Sequence, residues 1–425
     1  MLLLLLSSDP LKISGEYYVS IDSIEQTDEN QYQLIFDGVN IKHFNEFENT
    51  NIREMYEKTI PHIIVVNIDQ RFLNSFYSSL RSRKLTGKWF ILKTTKYTTT
   101  LSASLSIENS EFPESVKTFI YSIEFITPQQ EAFKKIHQFF SWSHFDRGNT
   151  KGIENHLLNI SSNEPFHTLN VYNVGQGSLT AVTDQNNTPL FYYDIGGAWW
   201  IFPNSYPRTL RLCFCKTKTV IISHWDLDHI ETARRLFYSN PEQLEGITWI
   251  APKQTLTTTY LRLAARMADT GTLLLWSGNY IEEINFWAGQ LLKCNGPEKN
   301  HNGIALVVNS PDNDIKAVLH PGDAAYTYIP LLQNLKLDGM VATHHGANFD
   351  FNNAPIPMST DGAIAYSHDN RYGHPTPDSI QAHMNSGWTN RRDTTSGNIS
   401  FNFIMGNNIN NCGGNHPDLD IAQTF

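Results

Sequence analysis

The 425-residue chain is long enough for two domains of ordinary size. Hydrophobic residues make up 40% of it and charged residues 17%, which is typical of a soluble globular protein with ample core material. The formal net charge of −10 argues against nucleic-acid binding driven by general surface charge. A nucleic-acid substrate stays possible, because bound metal ions would supply positive charge where a phosphate sits.

The chain begins with a short apolar run, Leu2–Leu6, which at first resembles a signal peptide. It is shorter than the roughly 7–15 apolar residues of a signal-peptide core, and no basic residue precedes it, so we expect a first strand. No stretch approaches the roughly 20 apolar residues of a membrane helix. The four cysteines (Cys213, Cys215, Cys294 and Cys412) are scattered, which favours reduced thiols. We therefore expect a cytoplasmic protein with no membrane partner.

Residues 1–160 contain short strand-like runs separated by polar turns, and they predict a mixed, strand-rich N-terminal domain. Helical stretches are predicted near 44–58, 70–83 and 128–141. Nothing in this region has the pattern of a catalytic site, so we expect it to recognise a substrate or a partner protein. The polar segment 146–165 is predicted to be a linker.

From about residue 167 strands alternate with helices, which is typical of a layered α/β fold. Helices are predicted at 228–239, 254–268, 324–335 and 376–386. We expect this second domain to span 167–410, with 411–425 as a tail.

The densest cluster of ionisable residues follows the apolar run TVIIS (219–223), which predicts a buried strand. The next six residues are HWDLDH. By two-residue alternation His224 and Asp226 lie on one side of this loop. Asp228 and His229 begin a helix, whose dipole favours an N-terminal Asp. Helix capping explains Asp228 alone, so the loop predicts ligands for two metal ions.

The pattern H-x-D-x-D-H between a strand and a helix resembles the H-x-H-x-D-H signature of the metallo-β-lactamase superfamily. Asp226 replaces the second His, a variant similar to the C-terminal hydrolase domain of ComEC competence proteins. The resemblance covers about residues 167–405 and implies a four-layer αββα sandwich of the α/β (α+β) class. Six further segments resemble motifs of that domain in the same order: LNVYNVGQGSLTAV (169–182), FYYDIGG (191–197), VLHPGDAAY (318–326), THHGAN (343–348), SHDNRYGHPTPDSI (367–380) and TTSGNISF (394–401).

The resemblance implies roles for several residues outside the loop. Asp194 would support the metal loop by hydrogen bonds, and Asp323 would bridge two metal ions. The last ligand of the second metal ion is either His344 or His345, and His345 is favoured. His344 would then point the other way by alternation, either supporting a ligand or facing the substrate. His374 would lie at the mouth of the site, contacting substrate or protonating a leaving group.

One further ligand position is open at this stage. His301 lies 22 residues ahead of Asp323 and fits the spacing of the superfamily's third metal motif. ComEC-like domains have an Asn-rich turn there, which Asn302 would match, and a surface His is equally consistent with an Asn- and Gly-rich turn. Ser178 also departs from the family pattern, which has Asp at that position. An aromatic group follows the Asp194 segment and could form a pocket rim or part of the core: Trp199, Trp200 and Phe202.

Three carboxylates, from Asp226, Asp228 and Asp323, make the site more anionic than a His-rich one and favour manganese or iron as well as zinc. Two divalent ions would activate a bridging water and stabilise charge on a phosphoryl group. Asp228 would orient the resulting hydroxide and take its proton. These expectations describe a metal-dependent phosphoester hydrolase, either a phosphodiesterase or a nuclease.

Two alternatives stay open on the sequence alone. The same fold supports hydrolysis of a small ester, thioester or lactone. The fold could also serve as the scaffold of a non-catalytic regulatory or binding protein, in which the N-terminal domain carries the function. The intact HWDLDH loop favours an enzyme over a scaffold, since a scaffold has no need for these ionisable residues.

Overall fold

A computed structural model describes the chain at residues 14–47, 50–80, 87–97, 101–111, 113–144, 150–160, 166–198, 207, 210–277, 282–310, 317–349, 353–359, 362–366 and 373–403. Three predictions fall wholly outside these residues: the first strand at Leu2–Leu6, the aromatic group at 199–202 and the tail at 411–425. Residues 367–372 of the predicted motif segment 367–380 also lie outside them. Within the described residues no helix is long and apolar enough to cross a membrane.

The chain divides into two compact units. Unit 1 comprises Met1–His144 and Thr255–Ala265, and unit 2 comprises Phe145–Gln254 and Arg266–Phe425. The segment Thr255–Ala265 therefore folds with the N-terminal region, although the sequence analysis placed it in the second domain.

Unit 1 contains a closed six-stranded barrel. Its elements are β1 (Gly15–Asp28), β2 (Gln31–Asn40), α1 (Ile41–Phe47), α2 (Ile52–Lys58), β3 (Pro61–Asp69), α3 (Gln70–Leu80), β4 (Trp89–Thr95), β5 (Leu101–Ile107), β6 (Ser115–Phe125) and α4 (Glu131–Phe139). The strands pair in the order β1-β2-β3-β5-β6-β4, and every pair is antiparallel. Alternate side chains fill the interior, among them the fully buried Val19, Phe36, Ile64 and Leu92.

Buried polar contacts hold the segment Thr255–Ala265 to this barrel. Asp37 on β2 accepts hydrogen bonds from the Thr259 backbone N–H at 2.7 Å and from the Thr259 hydroxyl at 2.9 Å. Arg262 donates to the Glu108 carboxylate at 2.8 Å. Buried charges require such partners, so these contacts explain why the segment belongs to unit 1.

Asp37 makes the stability of unit 1 depend on pH. Burial raises the pKa of Asp37 to about 7, although hydrogen bonds from Thr257 and Thr259 lower it. The pKa of Asp37 is higher in the folded than in the unfolded protein, so the folded protein is most stable at low pH, where Asp37 is protonated. It loses stability as pH rises through the folded pKa of Asp37. Between about pH 4 and about pH 8 we expect Asp37→Asn to gain up to about 4 kcal/mol in free energy of unfolding relative to wild type.

The measurement is hydrogen exchange of the β2 amides in both proteins at matched pH. A difference in protection between the two proteins that does not grow with pH would contradict the assigned role of Asp37.

The remaining helices and strands belong to unit 2, except that α7 begins in unit 1 and ends in unit 2. They are α5 (Thr150–Asn159), β7 (Phe166–Val171), β8 (Leu179–Asp184), β9 (Pro189–Ile195), β10 (Thr219–Ile221), α6 (Leu227–Ser239), β11 (Thr248–Pro252), α7 (Thr258–Thr270), β12 (Thr272–Trp276), β13 (Glu283–Phe286), β14 (Gly289–Lys293), β15 (Ile304–Asn309), β16 (Ala317–His320), β17 (Gly339–Val341), β18 (Ala363–Tyr366), α8 (Pro377–Asn385), β19 (Asn390–Asp393) and β20 (Ile399–Asn402).

Two seven-stranded sheets form the centre of unit 2. Their strand orders are β12-β11-β10-β9-β8-β7-β20 and β13-β14-β15-β16-β17-β18-β19. Side chains of both sheets share one core cluster, to which Phe191 and Ile221 contribute from the first sheet and Leu306 and Val318 from the second. Helix α6 contacts β9 of the first sheet, and Ile380 of α8 packs against a second cluster on the far face of the other sheet. The predicted fold class, an α/β (α+β) sandwich, is confirmed.

The helical stretch predicted near 44–58 is divided into α1 and α2, and the helix predicted at 324–335 is wrong. The segment 324–335 forms two short 3-10 turns, Tyr326–Tyr328 and Leu332–Asn334, in place of a continuous helix. Pro330 lies between them and has no N–H for a helical hydrogen bond, and Leu331 adopts a left-handed φ of 61°.

The segment predicted as a linker, 146–165, contains helix α5. Ile153 and Leu157 lie four residues apart on this helix, and both are fully buried in the core between the two sheets. The surrounding Asn, Gly and Ser residues suggested a linker, but these two apolar side chains are enough to pack the helix. Helix α5 therefore belongs to unit 2.

Candidate metal centre

The candidate site lies where parallel strands of the two sheets end. His224 follows β10, Asp323 follows β16 and His345 follows β17. Strand β10 pairs in parallel with β9, and β16 and β17 also pair in parallel. Because the carboxyl ends of parallel strands meet at one edge, residues distant in the sequence come together there.

Two glycine-containing turns fix the backbone of the HWDLDH loop. The carbonyl oxygen of Asp228 accepts hydrogen bonds from Ser178 N at 2.9 Å and Gly197 N at 3.1 Å. A Cβ at Gly196 would collide with that same oxygen, so only glycine fits this close approach. The segments 169–182 and 191–197 thus position the start of α6.

Asp194 orients the side chains of the loop. It is fully buried and accepts hydrogen bonds from Ser223 N at 2.7 Å and Ser223 Oγ at 2.8 Å. Its Oδ2 also lies 2.7 Å from His229 Nδ1. A carboxylate on Nδ1 makes that nitrogen the donor and leaves the His229 Nε2 lone pair facing the site. This is the supporting role that the sequence resemblance implies for Asp194.

Two sets of side chains in the described part of the chain could hold a metal ion. The His224 group consists of His224, His229 and Asp323, and the His345 group consists of Asp228, His229 and His345. In each group the ligand atoms lie within 4.8 Å of one another. Imidazole nitrogens and carboxylate oxygens are ligands of zinc, manganese and iron.

Two buried atoms test whether these residues fit a metal. His229 Nε2 and Asp323 Oδ1 lie 3.0 Å apart as an ion pair, and neither atom has a hydrogen-bond partner beyond this contact among the described residues. A divalent cation that displaces the Nε2 proton of His229 would bind the lone pairs of both atoms at once. Burial lowers the pKa of His229, but the carboxylates of Asp323 and Asp194 outweigh it and hold this pKa well above its ordinary value. The same negative field would attract a cation, so the residues fit.

Asp226 occupies a different position from that of the other predicted ligands. Its Oδ2 lies 3.1 Å from His224 Nε2, but its Oδ1 forms an ion pair with Lys299, and it belongs to neither group. Lys299 was not identified from the sequence. A single Lys in the turn before His301 carries no pattern that would have revealed it.

His301 also lies outside both groups. Its ring stacks on Tyr328 with centroids 5.0 Å apart, and its Nδ1 accepts a hydrogen bond from Ala325 N at 3.3 Å. Burial lowers the pKa of His301, which favours the neutral form. These contacts give His301 a packing partner that the spacing argument did not anticipate.

His344 and His345 both face the acidic residues. His345 Nε2 lies 3.2 Å from Asp228 Oδ2, and His344 Nε2 lies 3.4 Å from Asp323 Oδ2. The expected alternation fails because both residues adopt a positive φ, 47° and 54°, so the chain is not extended here. Such backbone strain in non-glycine residues is characteristic of functional sites. His345 is buried within its group, whereas His344 is about one-third exposed, at 33%.

His374 lies beside this pair, with its ring 5.5 Å from that of His344. Burial lowers the pKa of His374 to about 3, and the neighbouring His344 and His345 contribute to the decrease. A neutral imidazole is a poor proton donor near neutral pH. Of the two roles expected for His374, this favours contact with the substrate over protonation of a leaving group.

Neither a family model nor a curated protein matches the chain. Among solved structures, the chain is similar to the metallo-beta-lactamase fold protein YhfI from Bacillus subtilis, with 12% sequence identity. The match covers 56% of this chain and 99% of that chain, with a TM-score of 0.35. Overlap at this level establishes neither a shared fold nor a shared function.

Proposed function

We propose that this protein is a metal-dependent hydrolase that cleaves a phosphoester, as a phosphodiesterase or a nuclease. The observation that carries the proposal is the buried ion pair between His229 Nε2 and Asp323 Oδ1, 3.0 Å apart, among further His and Asp side chains placed to act as ligands. Buried His and Asp side chains that perturb one another in this way are typical of functional sites.

The proposed ligands form two positions that share Asp323. Asp228, His229 and His345 would supply the first, and His224 and Asp226 would supply the second, which we name the His224–Asp226 position. Zinc and manganese are the proposed ions, with iron as a third candidate, because carboxylate oxygens favour harder ions. When bound, divalent ions activate water and stabilise negative charge on a phosphoryl group.

The side chains around these positions have distinct proposed roles. Asp228, whose backbone is fixed by Ser178 and Gly197, would accept the proton of the attacking water. His344 is partly exposed and would contact the substrate beside Asp323. Neutral His374 would hydrogen-bond to the substrate next to it. We propose that unit 1 recognises the substrate or a partner protein.

The test compares cleavage of bis-p-nitrophenyl phosphate and p-nitrophenyl acetate, each with manganese and with zinc. We expect faster cleavage of the phosphodiester, loss of activity after chelation and recovery when metal is restored. Faster cleavage of the acetate would support a small-ester hydrolase. A folded, metal-loaded protein that cleaves neither compound would support the non-catalytic alternative. Single-stranded DNA, duplex DNA, RNA and cyclic nucleotides then identify the substrate class.

A further inference from the structure

A lysine of the chain lies within the candidate metal centre. The side chain of Lys299 is only 10% exposed, and its ammonium forms an ion pair with Asp226 Oδ1. The other oxygen of Asp226, Oδ2, is 3.1 Å from His224 Nε2. The Lys299 ammonium is therefore ion-paired with the carboxylate that would have to bind a metal ion at the His224–Asp226 position.

The backbone around Lys299 is held in place by buried groups. Gln254 Nε2 donates to the carbonyl oxygens of Lys299 and Asn302, both at 2.6 Å. Gln254 Oε1 accepts from the backbone N–H of Trp225 at 3.2 Å, which ties this turn to the HWDLDH loop. The buried Lys293 also donates to Asn302 O, at 2.9 Å. These hydrogen bonds fix the turn that carries Lys299 next to the HWDLDH loop.

The two candidate metal groups share one nitrogen. His229 appears in both, but its Nδ1 is paired with Asp194 and only its Nε2 faces the site. One lone pair binds one metal ion, so the two groups cannot both be complete. An ion held by Asp228, His229 and His345 leaves the other position with His224, a shared Asp323 and the ion-paired Asp226.

We propose that Lys299 is a built-in countercation at the His224–Asp226 position, so that the protein binds one divalent ion tightly and a second one weakly. Because the Lys299 ammonium lies on the His224 side, Asp228, His229 and His345 would hold the tight ion, next to the Asp323 carboxylate. A second ion must compete with the Lys299 ammonium for Asp226, and two positive charges at one carboxylate repel each other. This inference rests on the metal-binding part of the proposed function and is independent of the substrate.

The experiment measures metal stoichiometry and affinity without using activity. Mn²⁺ is titrated into metal-free protein, free Mn²⁺ is followed by electron paramagnetic resonance, and bound metal is confirmed by elemental analysis. For wild type we expect one tight ion and a second that binds at least roughly 100-fold more weakly. Two ions of similar affinity would overturn the inference and leave the proposed function intact.

Variants of Lys299 test whether its ammonium causes the weak binding of the second ion. Lys299→Met is expected to tighten the second ion at least roughly tenfold and to produce the spin-coupled signal of a manganese pair. Lys299→Arg keeps the charge and is expected to behave as wild type. The control Lys336→Met removes an exposed lysine of the same unit and is expected to change nothing. An unchanged second affinity in folded Lys299→Met would overturn the inference.

A second variant keeps the test decisive if Lys299→Met does not fold. Asp226→Asn removes the carboxylate and retains a similar shape, and we expect it to keep the tight ion. Loss of the tight ion from Asp226→Asn would overturn the inference, because Asp226 would then be a ligand of that ion. Absence of any tight ion from wild type would contradict both proposals, whereas unequal binding without phosphoester cleavage would contradict only the proposed substrate.

Discussion

Asp323→Ala is expected to lose tight metal binding and, with it, hydrolytic activity. Asp323 is 3% exposed, and its two oxygens lie 3.0 Å from His229 Nε2 and 3.5 Å from His224 Nε2. It is the carboxylate that both proposed metal positions share, and no other described side chain occupies its place. We expect activity on the phosphodiester to fall at least roughly 1000-fold, because no metal ion would stabilise the negative charge on the phosphoryl group in the transition state.

The measurement pairs elemental analysis with phosphodiester cleavage, and circular dichroism verifies the fold. Asp338→Ala is the matched control, because Asp338 precedes β17, at the opposite end of that strand from His345. It is expected to keep both metal and activity. Wild-type activity in Asp323→Ala would remove the basis of the proposed function.

Asp194→Asn is expected to weaken metal binding although Asp194 touches no metal. The amide has one acceptor oxygen and can accept only part of the hydrogen bonds that Asp194 accepts from Ser223 and His229. His229 then loses its fixed tautomer and orientation, so its Nε2 lone pair no longer points permanently at the site. Loss of such a supporting carboxylate typically costs 10- to 100-fold in metal affinity, and we expect about that loss here.

The readout is the Mn²⁺ dissociation constant of the folded protein, together with the ¹⁵N shifts of the His229 ring, which report its tautomer. Asp184→Asn is the matched control. Asp184 is also buried, but it accepts hydrogen bonds from Asn186 and Thr188 in its own turn and pairs with Lys216. We expect Asp184→Asn to reduce stability and to leave metal affinity unchanged. Equal losses of affinity in both variants would assign Asp194 a purely structural role.

The arrangement of the site explains why the fold tolerates so many buried ionisable side chains and strained residues, although each of them lowers stability. Asp194 and the glycine turns hold the loop before α6, and a positive φ at His344 and His345 directs both imidazoles at carboxylates. Such strain and buried charge persist where the surrounding structure over-determines them. The surrounding sheets supply that rigidity, since the strands leading to the site are buried on both faces.

The sequence by itself determined the local features of this protein. The apolar run TVIIS followed by HWDLDH predicted a buried strand, a ligand-bearing loop and the start of a helix, and the structure has β10, the loop and α6 in that order. Alternation of strands and helices after residue 167 predicted the layered fold. These features depend on hydrophobic periodicity and turn chemistry over a few residues, so they can be recognised without knowing which segments meet.

Only the tertiary structure decided which side chains act on one another. It paired Lys299 with Asp226, stacked His301 on Tyr328 and turned His344 toward Asp323. It also placed Thr255–Ala265 in unit 1, where Asp37 and Glu108 bind it. In each case the partner lies far along the chain or the backbone leaves the extended form, and local periodicity carries no information on either. Ion pairs and ring contacts form between loops that the sheets bring together, so they depend on the tertiary structure.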